Sequence, residues 1–255
     1  MNSFAFIIHP IDPKRDVARM YPILGKVLSE KTIHFLSRFW PPVQLSHITG
    51  ARSQAIDAEI EGWLIAVPYT SQRMMRLSPK EVYRKIIAAG RLAESLGAQI
   101  LGLGAYTSVV GDGGLTIARE LDIAVTSGDS YTVAVSVAAV LEAARRMAID
   151  PSESTIAVVG ATGAIGLAVS QLLAPHAGHM LLVARDTLQL TKAAALVSAA
   201  NCPSVKTSGR VSDIREADIV ITVTSSGGNL VKPDMLKSGA VVCDVSRPRD
   251  VSWQT

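Results

Sequence analysis

The chain has 255 residues, of which 48% are hydrophobic and 18% charged, enough to bury the cores of two modest domains. Its net charge of +3 is small and its basic residues are mixed with acidic ones, which argues against nucleic acid as a partner. The two cysteines show no metal-ligand spacing, so no structural metal is expected. No apolar run is long enough to span a membrane and the start does not resemble a signal peptide, which predicts a cytoplasmic protein.

Strand-like and helix-like segments alternate along the first half of the chain. The predicted elements are a strand over 4–9, a helix over 12–29, a strand over 59–68, a helix over 78–96, a strand over 98–106 and a helix–strand pair over 113–128. This alternation predicts an N-terminal α/β domain over residues 1–128, which we expect to hold the substrate. A helix over 130–148 and a linker around Pro151 predict a connecting segment over 129–150.

From Thr155 onward the alternation becomes regular. The predicted elements are strands over 155–159, 179–184, 204–207, 218–226 and 239–246, with helices over 163–173 and 187–199. This order is typical of a doubly wound parallel sheet, so residues 151–255 are predicted to form a Rossmann-type NAD(P)-binding domain. No helix follows the last strand to cover the sheet, so we expect this domain to be incomplete at its C-terminus.

Three glycines follow the strand over 155–159, in the segment GATGAIG. In a dinucleotide-binding turn, Gly160 would permit the tight turn, Gly163 the close approach of the pyrophosphate, and Gly166 the close packing of helix on strand. The N-terminus of the following helix supplies unpaired N–H groups to phosphates. The spacing is GxxGxxG rather than GxGxxG, but the strand before it and the helix after it favour a dinucleotide site over a purely structural turn.

The residue after the second strand of this domain distinguishes the two nicotinamide cofactors. An acidic residue there binds a ribose 2′-hydroxyl, whereas a basic residue accepts a 2′-phosphate. This chain has Arg185, which predicts NADPH, and Thr187 offers an additional hydroxyl donor. Asp186 follows immediately, so NAD is not excluded.

Hydroxyl-bearing residues end the fourth strand of this domain, and a carboxylate ends the fifth. Thr224, Ser225 and Ser226 fall at the carboxyl edge of the predicted sheet, where ligands bind in open α/β folds. We expect this loop to lie near the nicotinamide half of the cofactor, although an ordinary Gly/Ser turn is the alternative for any single hydroxyl. Asp244 is placed equally well to bind substrate or to cap a turn.

Two loops ahead of the glycine motif are candidates for a substrate cleft between the domains. Thr107 and Ser108 follow a buried-looking strand and are predicted to expose their hydroxyls. Asp129 and Ser130 precede the long helix, and capping of that helix is the simpler interpretation for them. Loops at the carboxyl ends of two neighbouring sheets would face each other across such a cleft.

The remaining candidate site residues are predicted to have structural roles. Cys202 and Cys243 lack the exposed, positively flanked setting of a nucleophilic thiol. His9 and His34 have no visible partner and are predicted to be satisfied structural histidines, although His9 ends a strand and would line the cleft. The basic run over 73–85 predicts a solvated helix face; the alternative is a docking site for an acidic carrier domain or for the phosphates of a thioester cofactor.

Three segments together resemble a known family. LGLGAYTSVVGDGG, TSGDSYTVAVSVAAV and IAVVGATGAIGLAVSQLL occur in the order and spacing of the long-chain acyl-[acyl-carrier-protein] reductases, and the resemblance spans nearly the whole chain. The cofactor portion also resembles the NADP domain of quinate/shikimate dehydrogenases and glutamyl-tRNA reductases. The glycine motif is widespread, so the two loop segments ahead of it are the specific part of the resemblance.

The resemblance implies NADPH-dependent reduction of a fatty acyl thioester, on an acyl carrier protein or coenzyme A, to an aldehyde. The family performs this reaction through a cysteine beyond VVCDVSRPRDVS, and neither cysteine of this chain matches it. The catalytic residue is therefore not identified. We expect this chain to bind the cofactor, but we do not predict that it catalyses the reaction. The cofactor residues implied by the resemblance are Gly160, Thr162, Gly163, Gly166, Arg185 and the loop Thr224, Ser225 and Ser226.

Two other functions remain open. One is a shikimate-type or amino-acid-type dehydrogenase of a small polar substrate, which requires a Lys–Asp pair as general acid and base. No lysine in the loops of the first domain is a convincing candidate for that pair. The other is a dinucleotide-binding protein without catalysis.

Overall fold

The structure, a computed structural model, describes residues 2–55, 57–225, 228–246 and 249–252. The chain divides into two compact units, Met1–Gly128 and Asp129–Thr255, here called unit 1 and unit 2. Within the described ranges, no helix combines the length and the apolar character needed to cross a bilayer.

Unit 1 is built on a five-stranded sheet. Its strands are β1 (Asn2–Ile8), β2 (Val43–Ser53), β3 (Ala58–Ala66), β4 (Ile100–Leu103) and β5 (Ala124–Thr126), in the spatial order β2-β3-β1-β4-β5. All neighbouring pairs are parallel except β2 and β3, which are antiparallel. Its helices are α1 (Pro13–Met20), α2 (Pro22–Val27), α3 (Glu30–Leu36), α4 (Ser71–Arg76), α5 (Pro79–Ser95) and α6 (Leu115–Arg119).

Helix α5 shows how the local sequence determines where a helix of unit 1 begins and which face it buries. The Ser78 hydroxyl accepts a hydrogen bond from the N–H of Glu81, and Pro79 stands at the first helical position, where no N–H is needed. Val82, Ile86, Ala89 and Ala93 are buried, and their spacing of three and four residues places them on one face of the helix. That face packs on the sheet, in the same core cluster as Ile7, Ile65 and Leu101.

Unit 2 begins with α7 (Asp129–Arg146) and contains an all-parallel sheet. Its strands are β6 (Thr155–Val159), β7 (His179–Val183), β8 (Val205–Ser208), β9 (Ile219–Thr222) and β10 (Val241–Asp244), in the order β10-β9-β6-β7-β8. Its other helices are α8 (Ala164–Leu173) and α9 (Thr187–Ala199). The first strand lies at the centre and the chain winds outward on both sides of it, which is the doubly wound arrangement.

The two faces of this sheet are covered differently. Residues Ile156 and Val158 of β6 point toward α7, α8 and α9 and belong to one large core cluster. The alternate residues Ala157 and Val159 point to the other face, where short 3₁₀ turns at Val211–Glu216 and Pro233–Met235 replace α-helices. The crossovers from β8 to β9 and from β9 to β10 contain no α-helix among the described residues.

The predicted α/β class, with a Rossmann-type parallel sheet in the second half, is confirmed. The observed elements differ from the predicted ones in several places, because α3, α4 and β2 were not predicted and one predicted helix is divided. The helix over 12–29 is interrupted between Met20 and Pro22, because proline cannot continue the preceding helix. Strand β2, an antiparallel edge strand, was missed because most of its residues are exposed and it carries no clear apolar alternation.

Candidate functional site

The turn from β6 to α8 is closed by Gly160. This glycine adopts φ = +91°, in the left-handed region that suits glycine, and its N–H donates to the Val183 carbonyl at 2.8 Å. A Cβ at this position would collide with the Val223 carbonyl oxygen and would lie 3.2 Å from the Thr224 methyl carbon. The first glycine therefore sits where β6, β7 and the end of β9 meet, with no room for a side chain.

The other two glycines of the motif differ in the space around them. A Cβ on Gly166, which is buried in the first turn of α8, would strike the backbone of Gly160. A Cβ on Gly163 would meet only the Gly160 oxygen, at 3.4 Å, an ordinary van der Waals contact. Gly163 is exposed and is the N-cap of α8 with φ = −75°, so the fold itself does not demand glycine there.

The N-terminus of α8 offers hydrogen-bond donors. No side chain caps this helix, and the N–H groups of Ala164, Ile165 and Gly166 have no acceptor within the described part of the chain. Together with the positive end of the helix dipole, three such donors beside a glycine with an open face suit an anion such as a pyrophosphate. The residues present thus fit a dinucleotide. Thr162 lies in the same turn and is half-buried.

Arg185 and Asp186 follow β7, and the structure separates their roles. The Asp186 carboxylate accepts a hydrogen bond from the N–H of Gln189 at 3.0 Å and is the N-cap of α9. Arg185 is exposed at the carboxyl end of the strand. The acidic residue is therefore engaged by its own helix, and the arginine is an exposed cation at this edge of the sheet. Thr187 is exposed in the first turn of α9.

The loop after β9 lies against the glycine turn. Thr224 is half-buried and Ser225 exposed, at the same carboxyl edge as Gly160. The third hydroxyl of the prediction, Ser226, lies outside the described residues.

A buried polar network holds this loop, and two of its members were missed from the sequence. The hydroxyls of Thr224 and Ser246 both donate to the Asp250 carboxylate at 2.6 Å, and Asp250 is fully buried. Asp244 accepts from the Thr222 hydroxyl at 2.7 Å, so its carboxylate serves the loop structure. The signal that could have indicated Ser246 and Asp250 is the polar segment DVSRPRD, which begins at the last residue of β10.

The predicted cleft residues lie in different settings. Thr107 is fully buried and its hydroxyl donates to the Gly104 carbonyl at 2.8 Å, so the prediction that it exposes its hydroxyl is wrong. Ser108 beside it is half-buried. Helix α7 begins at Asp129, so Asp129 and Ser130 occupy its first turn and Gly128 precedes it. A cleft joining the two pairs stays a prediction.

Neither cysteine has the properties of a nucleophile. Cys202 is buried and its thiol donates to the Ser204 carbonyl at 3.3 Å. Burial is the main cause that raises the pKa of the Cys243 thiol, and the charge of Asp244 is the second. The raised pKa lowers the thiolate fraction of Cys243 at neutral pH. Among the described residues, no three His, Cys, Asp or Glu side chains are grouped to hold a metal ion.

Unit 1 contains a cavity of about 650 Å³ at the carboxyl ends of β1 and β3. Its wall is largely apolar, from strands and from α1 and α3: Ile8, Val17, Ile33, Trp40, Val43 and Val67. This volume is in the range of ligand-binding sites.

His9 is part of the wall of this cavity. Its Nδ1 lies 3.0 Å from the Pro10 carbonyl, which can only accept, so Nδ1 is the protonated nitrogen. Nε2 is buried and has no hydrogen-bond partner among the described residues. The prediction that His9 is fully satisfied is therefore wrong for one ring nitrogen. His34, also in the wall, lies 3.7 Å from the Glu30 carboxylate.

The basic run over 73–85 is only partly a solvated face. The Arg73 guanidinium lies 5.2 Å from the centre of the buried Tyr69 ring, and its Nε is buried without a described partner. Lys85 donates to the Trp40 carbonyl at 2.6 Å, and burial, with the neighbouring Arg84, lowers the pKa of its ammonium group. Both side chains thus contribute to packing beside the cavity wall at Trp40.

Unit 2 matches a known family model, and two known proteins are similar in sequence to most of the chain. Residues 142–255, somewhat less than half of the chain, match the family model of shikimate / quinate 5-dehydrogenase. The chain is 28% identical over 265 residues to the aminotransferase PigE of Serratia sp. (strain ATCC 39006), covering 99% of this chain and 30% of that protein. It is 28% identical over 226 residues to the long-chain acyl-[acyl-carrier-protein] reductase of Synechococcus elongatus, covering 84% of this chain and 64% of the reductase.

The chain thus spans less than two thirds of the length of either relative. Among solved structures, it resembles the quinate dehydrogenase of Corynebacterium glutamicum in complex with NAD, with a TM-score of 0.48 and 15% identity over 97% of this chain and 80% of that one. The family match and the sheet order of unit 2 agree: unit 2 is an NAD(P)-binding domain of Rossmann type, similar to that of shikimate and quinate dehydrogenases.

Proposed function

We propose that the protein is an NADPH-dependent oxidoreductase whose cofactor binds at the carboxyl edge of unit 2. The observation that carries the proposal is the turn at Gly160, Gly163 and Gly166. Two of these glycines are sterically required by the fold, while the third has room for a Cβ and lies beside three N–H groups that have no acceptor among the described residues. Such a turn accepts a pyrophosphate, and the bound nicotinamide would supply the hydride.

The choice of NADPH over NADH is supported by Arg185. A guanidinium can form charge-assisted hydrogen bonds to a 2′-phosphate, and Asp186 is turned toward its own helix. On the opposite side of the sheet centre, the loop with Thr224 and Ser225 would contact the nicotinamide half.

For the substrate, the family match over 142–255 favours a shikimate-type dehydrogenase, which would interconvert a hydroxyl and a carbonyl of a small polar molecule. Such a reaction needs a proton donor and acceptor at the substrate oxygen, typically a Lys–Asp pair. In unit 1, no lysine forms an ion pair with a carboxylate among the described residues. The base for this reaction is therefore unassigned.

A second candidate is reduction of an acyl thioester to an aldehyde. It is supported by the apolar cavity in unit 1, which suits an aliphatic chain better than a polyol, and by a similarity to the acyl reductase that extends over both units. A covalent route through a thiol would require a cysteine other than Cys202, which is buried, and Cys243, which is half-buried and has a raised thiol pKa.

The test begins with calorimetric titration of NADPH and NADH. Tighter binding of NADPH is expected, and binding of neither cofactor would overturn the proposal. Oxidation of NADPH is then followed by absorbance with a cyclic hydroxy-keto acid or with a long-chain acyl thioester. Turnover of the first assigns the shikimate-type reaction, and aldehyde formed from the second assigns thioester reduction.

A further inference from the structure

We propose that Asp250 is a positioning residue for the cofactor: its buried carboxylate holds Thr224 against the glycine-rich turn. The inference rests on the proposed dinucleotide site at that turn. Asp250 lies beyond the last strand, far in sequence from the glycine motif, and it does not belong to any part of the predicted site.

The first step is the bond pattern around the carboxylate. Asp250 Oδ2 accepts the Thr224 hydroxyl and the Ser246 hydroxyl, both at 2.6 Å. The Ser246 oxygen in turn accepts the backbone N–H of Thr224 at 2.8 Å. Thr224 is therefore held twice, through its side chain directly and through its backbone by way of Ser246. Hydrogen bonds to a buried carboxylate are among the strong ones in proteins.

The second step is the anchoring of Asp250 itself. The Asp250 carbonyl accepts the N–H of Val231 at 2.9 Å, and the Arg249 carbonyl accepts the N–H of Asn229 at 2.9 Å. The Val251 N–H donates to the Asp244 carboxylate at 3.0 Å. The chain after β10 is thereby paired with the chain that follows the Thr224 loop, so both loops form one hydrogen-bonded edge.

The third step connects these paired loops to the glycine-rich turn. A Cβ built on Gly160 meets the Val223 carbonyl and the Thr224 methyl carbon, so the Thr224 loop is the wall directly behind the first glycine of the turn. The turn is also tied to the strand on its other side by the Gly160 N–H bond to Val183. A displacement of Thr224 would remove the contact of its methyl group with the turn and would pull on the Val223 carbonyl, the nearest group behind Gly160.

Removal of the carboxylate should therefore weaken cofactor binding through Thr224. Asp250→Ala is expected to raise the Kd for NADPH about tenfold, because the loop loses hydrogen bonds to a charged group. Asp250→Asn retains an acceptor oxygen of similar shape and should give a smaller rise. Asp234→Ala, at an exposed carboxylate in the same unit, is the matched control and should bind as the parent does.

A double-mutant cycle with Thr224→Val separates positioning from a general loss of stability. If Asp250 acts through Thr224, Asp250→Ala in the Thr224→Val background should cost only about threefold or less. Kd is measured by fluorescence titration well below the melting temperature, which is recorded for every variant without cofactor.

Several outcomes would overturn the inference. An Asp250→Ala protein that melts at a lower temperature and yet binds NADPH as the parent does would show that the residue is structural only. An equal loss in both backgrounds shows that Asp250 does not act through the Thr224 hydroxyl, and this removes the direct contact on which the inference rests. If the parent itself binds neither NADPH nor NADH, the proposed function fails, and that result is distinct from a parent that binds and an Asp250→Ala variant that binds equally well.

Discussion

At the level of single residues, the three glycines of the turn differ in whether the fold requires them. Gly160 has positive φ and no room for a Cβ, and Gly166 packs against the backbone of Gly160. Gly163 has ordinary backbone angles and open space beyond its α-carbon. Only at Gly163 is glycine unnecessary for the fold, which is the property expected of a position reserved for a ligand.

Substitution at two of these positions should therefore give opposite results. Gly163→Val is expected to abolish NADPH binding and to cost at most about 1 kcal/mol of folding free energy, the size of a lost helix-cap preference. Gly166→Val should destabilise the protein by about 1–3 kcal/mol even without cofactor, because backbone must move. Melting curves with and without NADPH measure both effects. A Gly163→Val protein that NADPH still stabilises as it does the parent would move the phosphate site elsewhere.

Arg185 is expected to set the cofactor preference. Arg185→Ala should weaken NADPH binding roughly tenfold and leave NADH binding unchanged, since a charge-assisted pair to the 2′-phosphate is lost. Calorimetry with both cofactors measures the change. Lys192→Ala removes another exposed positive charge from the neighbouring helix α9 and serves as the control for a general charge effect. Equal affinities of the parent for the two cofactors would contradict the assignment.

At the level of elements, the loop before α6 depends on one carboxylate. Asp112 accepts the hydroxyl of Thr116 at 2.6 Å, its N–H at 3.0 Å, and the Tyr83 hydroxyl at 3.2 Å. The side-chain hydrogen bond from Thr116 is the largest cause that lowers the pKa of Asp112 below its ordinary value. These bonds satisfy a donor in the first turn of α6 and tie the loop to α5.

This lowered pKa predicts an acid-sensitive contact. The folded-state pKa lies below the unfolded one, so the carboxylate stabilises the fold in full above the unfolded pKa of about 3.9, and the contribution is lost as pH falls through the folded pKa. Asp112→Asn should therefore lower the melting temperature at pH 7 and differ less from the parent near pH 3. Melting curves between these pH values test this. An equal deficit at both ends would show that Asp112 is not the titrating group.

Strand β2 of unit 1 shows where the local sequence is insufficient to predict an element. Strand β2 pairs with β3 through an antiparallel ladder with register shifts after Gln44 and Ile48, and most of its side chains face solvent. Its stability comes from hydrogen bonds to β3 rather than from its own apolar pattern, so it left little signal. The break between α1 and α2, in contrast, had a visible cause in Pro22.

At the level of the whole molecule, each unit has its own hydrophobic core. The cluster around Ile7, Ile65 and Leu101 lies in unit 1, and the clusters around Ile156, Leu182 and Val220 lie in unit 2. A ligand bound by unit 2 adds stability to that unit by mass action, about 2.7 kcal/mol at a concentration a hundredfold above Kd.

We therefore expect NADPH to slow hydrogen exchange unevenly. Amides at 160–167 and 223–225 should exchange more slowly with cofactor, whereas amides of β1 and β3 should be unaffected, because they belong to the other unit. Exchange followed by mass spectrometry measures this, with the Gly163→Val protein as the control that should show no cofactor effect. Protection confined to unit 1 would contradict the proposed site.

What the sequence by itself determined is the local part of the molecule: the regular order of strands and helices, the three glycines between a strand and a helix, and a basic residue after the next strand. These features depend on neighbours within a few residues, which apolar periodicity and backbone preference record directly. The tertiary structure alone decided which polar groups meet. It buried Thr107, left one nitrogen of His9 without a partner among the described residues, and brought Asp250 to Thr224. Those contacts join residues far apart in sequence, or depend on burial, and neither is encoded in the pattern of any single segment.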